Sequence, residues 1–378
     1  MYSVLYYGAL IADRVRTGAY AEALRRSVHP GSVVVDLGAG TGIMSCIAAQ
    51  LGAARVYAIE PSDALQVART IARANCFDDR IQFFPGCGQA VTLPERADVI
   101  VSDLHDVLPP FGGHFRAIAD ARERFLKPGG ILVPKRETVW AALVTAPDAY
   151  ERQVGAWVWG SLDLSAGRRM ASNSWVKRRV SPAQLLTGPA QWAEIDYATV
   201  HSTALAGQLE VEVHGAGVAH GLSLWFDSML LEDLGFSNAP GEPETIFGQG
   251  FFPLLEPVTV ECGDRVEIAI RADLTGDNYT WGWNTRIQSP LGLLKADYRQ
   301  STFLGSPLPT EIVRKSGDSF VPSPTEDAAI DRTILDSFGS GRTLREISID
   351  LASRFPSRFP DWKAAQGRVA SLSVRYAG

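Results

Sequence analysis

The densest chemistry in this sequence lies between Val33 and Ile43, VVVDLGAGTGI, and at Glu60 in VYAIEP. Asp36 is followed by glycines at every second position: Gly38, Gly40 and Gly42. Such a loop lets the backbone turn sharply and lets a ligand come close against it. A carboxylate at the end of the next strand can accept hydrogen bonds from both hydroxyls of a ribose. A dinucleotide fingerprint is excluded, because that pattern needs its third glycine where Ile43 stands. An acid-led turn, D-x-G-x-G-x-G, with Glu60 after the following strand suits S-adenosylmethionine, which carries an amino acid and an adenosine and no phosphate. We therefore expect S-adenosylmethionine as cofactor, with Asp36, Gly38, Gly40 and Glu60 around it and S-adenosylhomocysteine as product.

A second group follows in SDLHDVLPPFGGHF, which carries Asp103, His105, Asp106 and His114. Methyl transfer from a sulfonium is an in-line displacement, so alignment of the acceptor supplies most of the gain. A base is needed only where the acceptor must lose a proton, and a histidine titrates in the useful range. Asp103, His105 and His114 are the expected catalytic groups. Aromatic walls for an acceptor are expected from Tyr2, Tyr6 and Tyr7, and from Tyr279, Trp281 and Trp283 in NYTWGWN.

These residues need elements to position them. Val33 to Val35 is a short apolar run, as in a buried parallel strand. Ile43, Ile47 and Leu51 recur at helical spacing, with Thr41 placed to cap that helix. Arg55 to Ile59 reads as a strand ending at Glu60, and Asp63 to Ala74 as a helix. Ile81 to Phe84 and Ala97 to Ser102 read as further strands, Ile118 to Leu126 as a helix, and Ile131 to Val133 as the start of another strand. This βαβ alternation predicts a parallel sheet with ligands at the carboxyl ends of its strands. Glu60, Gln89 and Asp103 each follow a strand, so all three can face one crevice. Residues 1–30 read as one helical lid, with Leu5, Ala9, Ala12, Val15 and Ala19 three or four apart.

Beyond Pro134 the texture changes to short β-branched runs divided by glycine, proline and asparagine, as in a sandwich or barrel. Residues 306–325 are rich in proline and serine and read as a linker. Near the end, Thr343 with Glu346 forms a capping box, and Ile330, Ile334, Ala365, Val369 and Leu372 mark helical faces. With 378 residues, several units are expected. We divide the chain into an N-terminal lid (1–30), a cofactor domain (31–136), a β-barrel domain (137–305), a linker (306–329) and a small helical module (330–378).

Hydrophobic content of 46% with 21% charged residues describes a globular protein. A net charge of -6 without a lysine- or arginine-rich run argues against nucleic acid as a partner. No apolar run reaches membrane-spanning length. Cys46, Cys76, Cys87 and Cys262 form no close pair, so neither a metal site nor a disulfide framework is expected, and a reducing cytoplasm is.

Residues 1 to about 305 resemble the protein arginine methyltransferase superfamily, through IADRVRTGAYAEAL, VVVDLGAGTGIM, LGAARVYAIEP, ERADVIVSDL and FLKPGGILVPKRETVW. The resemblance implies a class I methyltransferase, Rossmann-like parallel sheet followed by an antiparallel β-barrel. It also implies a helical dimerisation arm at about 146–180, and hence a homodimer. It implies that Arg16 pairs with the methionine carboxylate of the cofactor, that Gly38 and Gly40 lie under its methionine portion, and that Glu60 binds ribose. Gly88 and Gln89 match the pair at the adenine edge, with Gln89 where glutamate is usual. More faintly, TLREISIDLASRFPSRF resembles a small helical peptide-binding module attached to some natural-product enzymes.

The departures concern the acceptor. The family grips a guanidinium with two glutamates on one loop. Here Asp103 fills the first position, one methylene shorter, and the second falls on Gly112. A barrel loop that normally reads Thr-His-Trp reads Thr245-Ile246-Phe247. From these losses and the aromatic content we expect methyl transfer to a small-molecule acceptor of secondary metabolism, at nitrogen, oxygen or an electron-rich carbon such as that of indole. Arginine methylation with a rebuilt clamp, and a non-catalytic cofactor-binding scaffold, are the alternatives.

Overall fold

The computed structural model describes residues 3–307 and 309–377, so Tyr2 lies outside the described residues. Two compact units divide the chain, Met1–Pro307 and Leu308–Gly378.

The first unit begins with helices α1 (Val4–Ala12) and α2 (Arg14–Ser27). The expected single helix is broken at Asp13, whose ψ of 93° is extended. Asp13 there caps α2, accepting from the Arg16 amide at 3.0 Å. Its other oxygen accepts from the Ile246 amide at 2.7 Å, which ties the lid to a distant loop.

Strands β1 (Val33–Leu37), β2 (Arg55–Glu60), β3 (Ile81–Pro85), β4 (Ala97–Ser102) and β5 (Leu126–Val133) form one sheet in the order β3-β2-β1-β4-β5. Every pairing in it is parallel. Helices α3 (Ile43–Gln50), α4 (Ala64–Ala74) and α5 (His114–Phe125) connect the strands. All five residues of β1 are buried, as its valines require; each such side chain contributes about 2 kcal/mol on leaving water. The strand order reverses between β1 and β4, and that switch point is where an open α/β sheet leaves a crevice at the carboxyl ends of its strands.

The remainder of this unit is antiparallel. It comprises β6 (Arg136–Val144), β7 (Val176–Arg178), β8 (Ala190–Asp196), β9 (Leu205–Glu212), β10 (Gly217–Leu231), β11 (Leu234–Ser237), β12 (Gln249–Val260), β13 (Arg265–Thr275), β14 (Asn278–Gln288) and β15 (Leu294–Ser301). One sheet runs β7-β12-β10-β6-β8 with β11 paired to β10, and the other β15-β14-β13-β9. Between β6 and β7 lies a short helical segment: α6 (Pro147–Tyr150), a π-turn (Glu151–Gly155) and α7 (Ser165–Ser172).

The second unit holds α8 (Thr310–Lys315), inside the stretch read as linker, and α9 (Glu326–Leu335), α10 (Leu344–Arg354) and α11 (Trp362–Tyr376). The last three bury Ile330, Ile334, Ile347, Leu351, Ala365, Val369 and Leu372 against one another. Thr343 and Glu346 make the reciprocal capping bonds at the start of α10. Among the described residues no helix is long and apolar enough to cross a membrane, and Cys46, Cys76, Cys87 and Cys262 are free thiols.

Candidate active site

A crevice of about 410 Å³ opens over the switch point. Asp36, Gly38, Gly40, Glu60, Asp103 and His105 line it from the sheet, and Tyr7, Leu10, Ile11 and Arg16 from the lid helices.

Its floor is made by the turn after β1. Gly38 and Ala39 both donate to the Ile59 carbonyl, at 2.9 and 3.0 Å, which folds the loop back onto β2. Gly38 and Gly40 have φ of +79° and +53°, and a Cβ on Gly40 would lie 2.6 Å from the Tyr7 ring. Side chains are excluded at Gly40 by backbone conformation and the lid together, and at Gly38 by backbone conformation and Leu104. Gly42, with φ of +80°, is the N-cap of α3 and Thr41 makes no capping bond. Asp36 does that work from β1: its Oδ2 accepts from the Ser45 amide at 2.9 Å and the Ser45 hydroxyl at 2.6 Å. Burial pushes its carboxyl up to about 6, against the pull of the Ser45 bonds. Asp36 thus acts on the helix, and the glycines meet the crevice. Glu60 accepts from the Gly40 amide at 3.0 Å and the Ser62 amide at 2.8 Å. An ionised carboxylate has further lone pairs, so ribose hydroxyls can still be accepted.

Arg16 is 4% exposed. Its Nη1 donates to the Leu10 carbonyl at 2.9 Å and to Thr17 Oγ1 at 3.1 Å, and its Nη2 is ion-paired with Asp103 Oδ2. Its Nε has no hydrogen-bond partner among the described residues. Burial lowers its pKa, because the charged form loses its solvation. A buried cationic fork with an unmet donor, beside a glycine floor and a ribose-ready acid, fits a cofactor with an amino-acid carboxylate.

On the other side of Asp103 stands His105, with Nδ1 at 2.9 Å from Oδ1. The His105 side chain is fully buried and its Nε2 lies against the Glu137 carboxylate. Glu137, on β6, is also fully buried, and its second oxygen accepts from the Tyr197 hydroxyl at 2.5 Å. Burial raises its pKa, but His105, His114 and Tyr197 together outweigh that and leave it below the ordinary carboxylate value. Glu137 was not singled out in the sequence. Its only signal is an acid, beside Arg136, at the head of a strand that is otherwise mainly apolar, RETVWAALV.

The remaining expected residues are dispersed. His114 is buried, edge-on to His105 at 5.3 Å, with burial holding its pKa down to about 3. It does not line the crevice. Tyr7 lines it and Tyr6 does not. Gly88 is buried under Arg124, which donates to its carbonyl at 2.5 Å, and Gln89 is exposed outside the crevice lining. Trp281 and Trp283 are 2% and 1% exposed and pack against Phe252, in the core between antiparallel strands rather than at the crevice. Period-two alternation in β14 turns both inward, which is why aromatic richness there made no wall.

Two family models match the chain. One, described as the arginine methyltransferase oligomerization subdomain, covers residues 135–279, and one described as ribosomal protein L11 methyltransferase covers 17–157. A plant relative, probable protein arginine N-methyltransferase 6 of Arabidopsis thaliana, is 33% identical over 58% of this chain and 52% of its own length. The chain spans about half the length of that relative. Protein arginine N-methyltransferase 6 of Xenopus laevis is 28% identical over 71% of the chain and 81% of its own length. Among solved structures, the Trypanosoma brucei PRMT1 enzyme-prozyme complex with AdoHcy superposes with a TM-score of 0.72 at 22% identity, over 78% of this chain and 97% of that one.

The chain is thus similar to protein arginine methyltransferases and, over its parallel sheet, to a class I methyltransferase. Its parallel-then-antiparallel order is the fold of those solved structures. The expectation of a small-molecule acceptor in secondary metabolism is overturned, because the relatives and fold neighbours named above are protein arginine methyltransferases. That expectation gave too much weight to a missing glutamate and to tryptophans that the fold buries.

Proposed function

We propose that this chain transfers the methyl group of S-adenosylmethionine to a guanidinium nitrogen of an arginine in a protein or peptide. One observation carries the reading: Asp103, at the crevice mouth after β4, already grips a guanidinium, that of Arg16. A carboxylate of this geometry and charge is an arginine acceptor site in chemical terms.

The cofactor supplies an electrophilic methyl on a sulfonium. Glu60 accepts hydrogen bonds from ribose, Arg16 meets the amino-acid carboxylate, and Gly38 and Gly40 allow close approach. Asp103 would hold the acceptor guanidinium by a charged hydrogen bond that orients one nitrogen; as that nitrogen gains the methyl the sulfur–methyl bond breaks to leave S-adenosylhomocysteine, and the proton the nitrogen loses passes to the Asp103 carboxylate. Tyr7, Leu10, Ile11 and Phe111 line the crevice with apolar surface that keeps water out of the reacting region. His105 is engaged at both ring nitrogens by acids, so we assign it to holding Asp103 rather than to taking a proton from the acceptor.

Trp157, Val158, Trp159 and Leu162 stand exposed in the arm between β6 and β7, and this apolar edge supports a homodimer. Free thiols throughout support a reducing cytoplasm as its compartment.

The test is incubation with isotope-labelled cofactor and a glycine-arginine peptide, read by mass spectrometry of the hydrolysed peptide. Methylarginine is expected; label found on no arginine, across basic peptides and protein extract, overturns the reading.

A further inference from the structure

Of the two loop positions expected to grip a guanidinium only the first is acidic, Asp103, because the second is Gly112; Asp106, on the same loop, does not line the crevice. A second acid stands behind the loop. Tyr197, Glu137, His105 and Asp103 stand in series from the core to the crevice: a hydrogen bond, an ion-pair contact without hydrogen-bond alignment, and a second hydrogen bond. We propose that Glu137 is a positioning residue for the acceptor site: acting through His105, it holds Asp103 with one carboxylate oxygen turned inward and the other presented to a guanidinium. This rests on the arginine acceptor proposed above.

Three features carry the inference. Glu137 is fully buried, and an ionised carboxylate in that setting needs a partner of opposite charge. Among the described residues the only ion pair it makes is with His105. The second feature is the ring itself, which cannot swivel. It stacks on Phe226 at 5.5 Å and 21°, with Phe247 and His114 edge-on at 6.0 and 5.3 Å. Two acids therefore meet two nitrogens of a clamped ring. The third feature is how Asp103 divides its oxygens: Oδ1 faces His105 Nδ1 at 2.9 Å, and Oδ2 faces a guanidinium. With Oδ1 held, an arginine acceptor meets one oxygen rather than a symmetrical fork. A short aspartate thus acquires the fixed direction that a longer acid on the loop would otherwise need a partner to supply.

A purely structural buried pair would stabilise the fold and leave Asp103 alone, so the test reads Asp103 directly. In protein labelled with carbon-13 at aspartate carboxyls, the Asp103 resonance is assigned with Asp103→Asn. It is then compared between wild type and Glu137→Gln, a change that keeps the shape and the Tyr197 bond. The Asp103 signal is expected to move beyond its linewidth while that of Asp36 stays. For a glycine-arginine peptide, KM is expected to rise about tenfold, with the dissociation constant of S-adenosylhomocysteine, by calorimetry, within about twofold of wild type. An unmoved Asp103 signal overturns the proposal, whatever happens to stability. A wild type that methylates no arginine overturns the acceptor assignment instead, and the carbon signal still decides the positioning. If Glu137→Gln does not fold, Glu137→Asp, which keeps the acid and withdraws it from His105 by one methylene, carries the same two readouts.

Discussion

The two sides of the crevice are built in opposite ways. The cofactor side is made almost wholly from the turn after β1 and the end of β2. Its contacts are backbone amides: Gly38 and Ala39 on the Ile59 carbonyl, and Gly40 and Ser62 on the Glu60 carboxylate. The side proposed for the acceptor is made of side chains from distant places: Asp103 and His105 after β4, Glu137 on β6 and Tyr197 after β8, with Arg16 from α2 joining the two sides through its ion pair with Asp103. Backbone-made sites tolerate drift in sequence as long as glycine and one acid remain. Side-chain-made sites can be supported from elsewhere in the fold, and here we propose that a buried strand acid backs Asp103 through His105.

That contrast can be broken most severely at Asp103. Asp103→Asn should lower kcat/KM for an arginine peptide about 100-fold, since removing one partner of a desolvated charged bond costs about 3 kcal/mol. Its effect on S-adenosylhomocysteine binding, by calorimetry, should be no more than about threefold. A comparable loss of both would mean that the two sides are not separable. Glu60→Ala should do the reverse at somewhat smaller size, weakening S-adenosylhomocysteine about 30-fold through lost charged hydrogen bonds. Unchanged binding would contradict the ribose assignment.

A third effect is read by pH. His114 is held near 3 when folded, against an ordinary 6.5. The unfolded chain therefore binds its proton first on acidification, so this group's contribution is whole above about 6.5 and is lost as pH falls from there towards 3. Glu137, whose folded pKa is lowered, contributes with the same sign. Asp36, raised to about 6, works oppositely, its contribution lost as pH rises through that value. Between pH 7.5 and 5, His114 should account for about 2 kcal/mol of lost stability by urea titration. His114→Phe should flatten that part of the slope, and an unaltered slope would contradict the burial of a neutral ring. The smallest effect is expected at Thr41. Since Gly42 and Asp36 start α3, Thr41→Ala should change stability by less than about 0.5 kcal/mol; a loss near 1 kcal/mol would restore it as a cap.

Much of this was legible before any coordinates. The glycine turn, Glu60, the parallel strands and the capping box at Thr343 are local patterns, in which neighbours in sequence are neighbours in space. Those patterns determine the fold class and where the crevice at the strand ends opens. The lid's break at Asp13 was not legible, because its reason is an amide on the Thr245–Phe247 loop. Nor was the burial of Trp281 and Trp283, which depends on which sheet face covers β14. Glu137 gave the weakest signal and has the longest reach: an acid in an apolar strand reads as an anomaly until the fold sets a histidine against it. Periodicity and turn chemistry act over a few residues, whereas a buried charge is satisfied only by whatever the whole chain brings within hydrogen-bond distance, and that is decided in three dimensions.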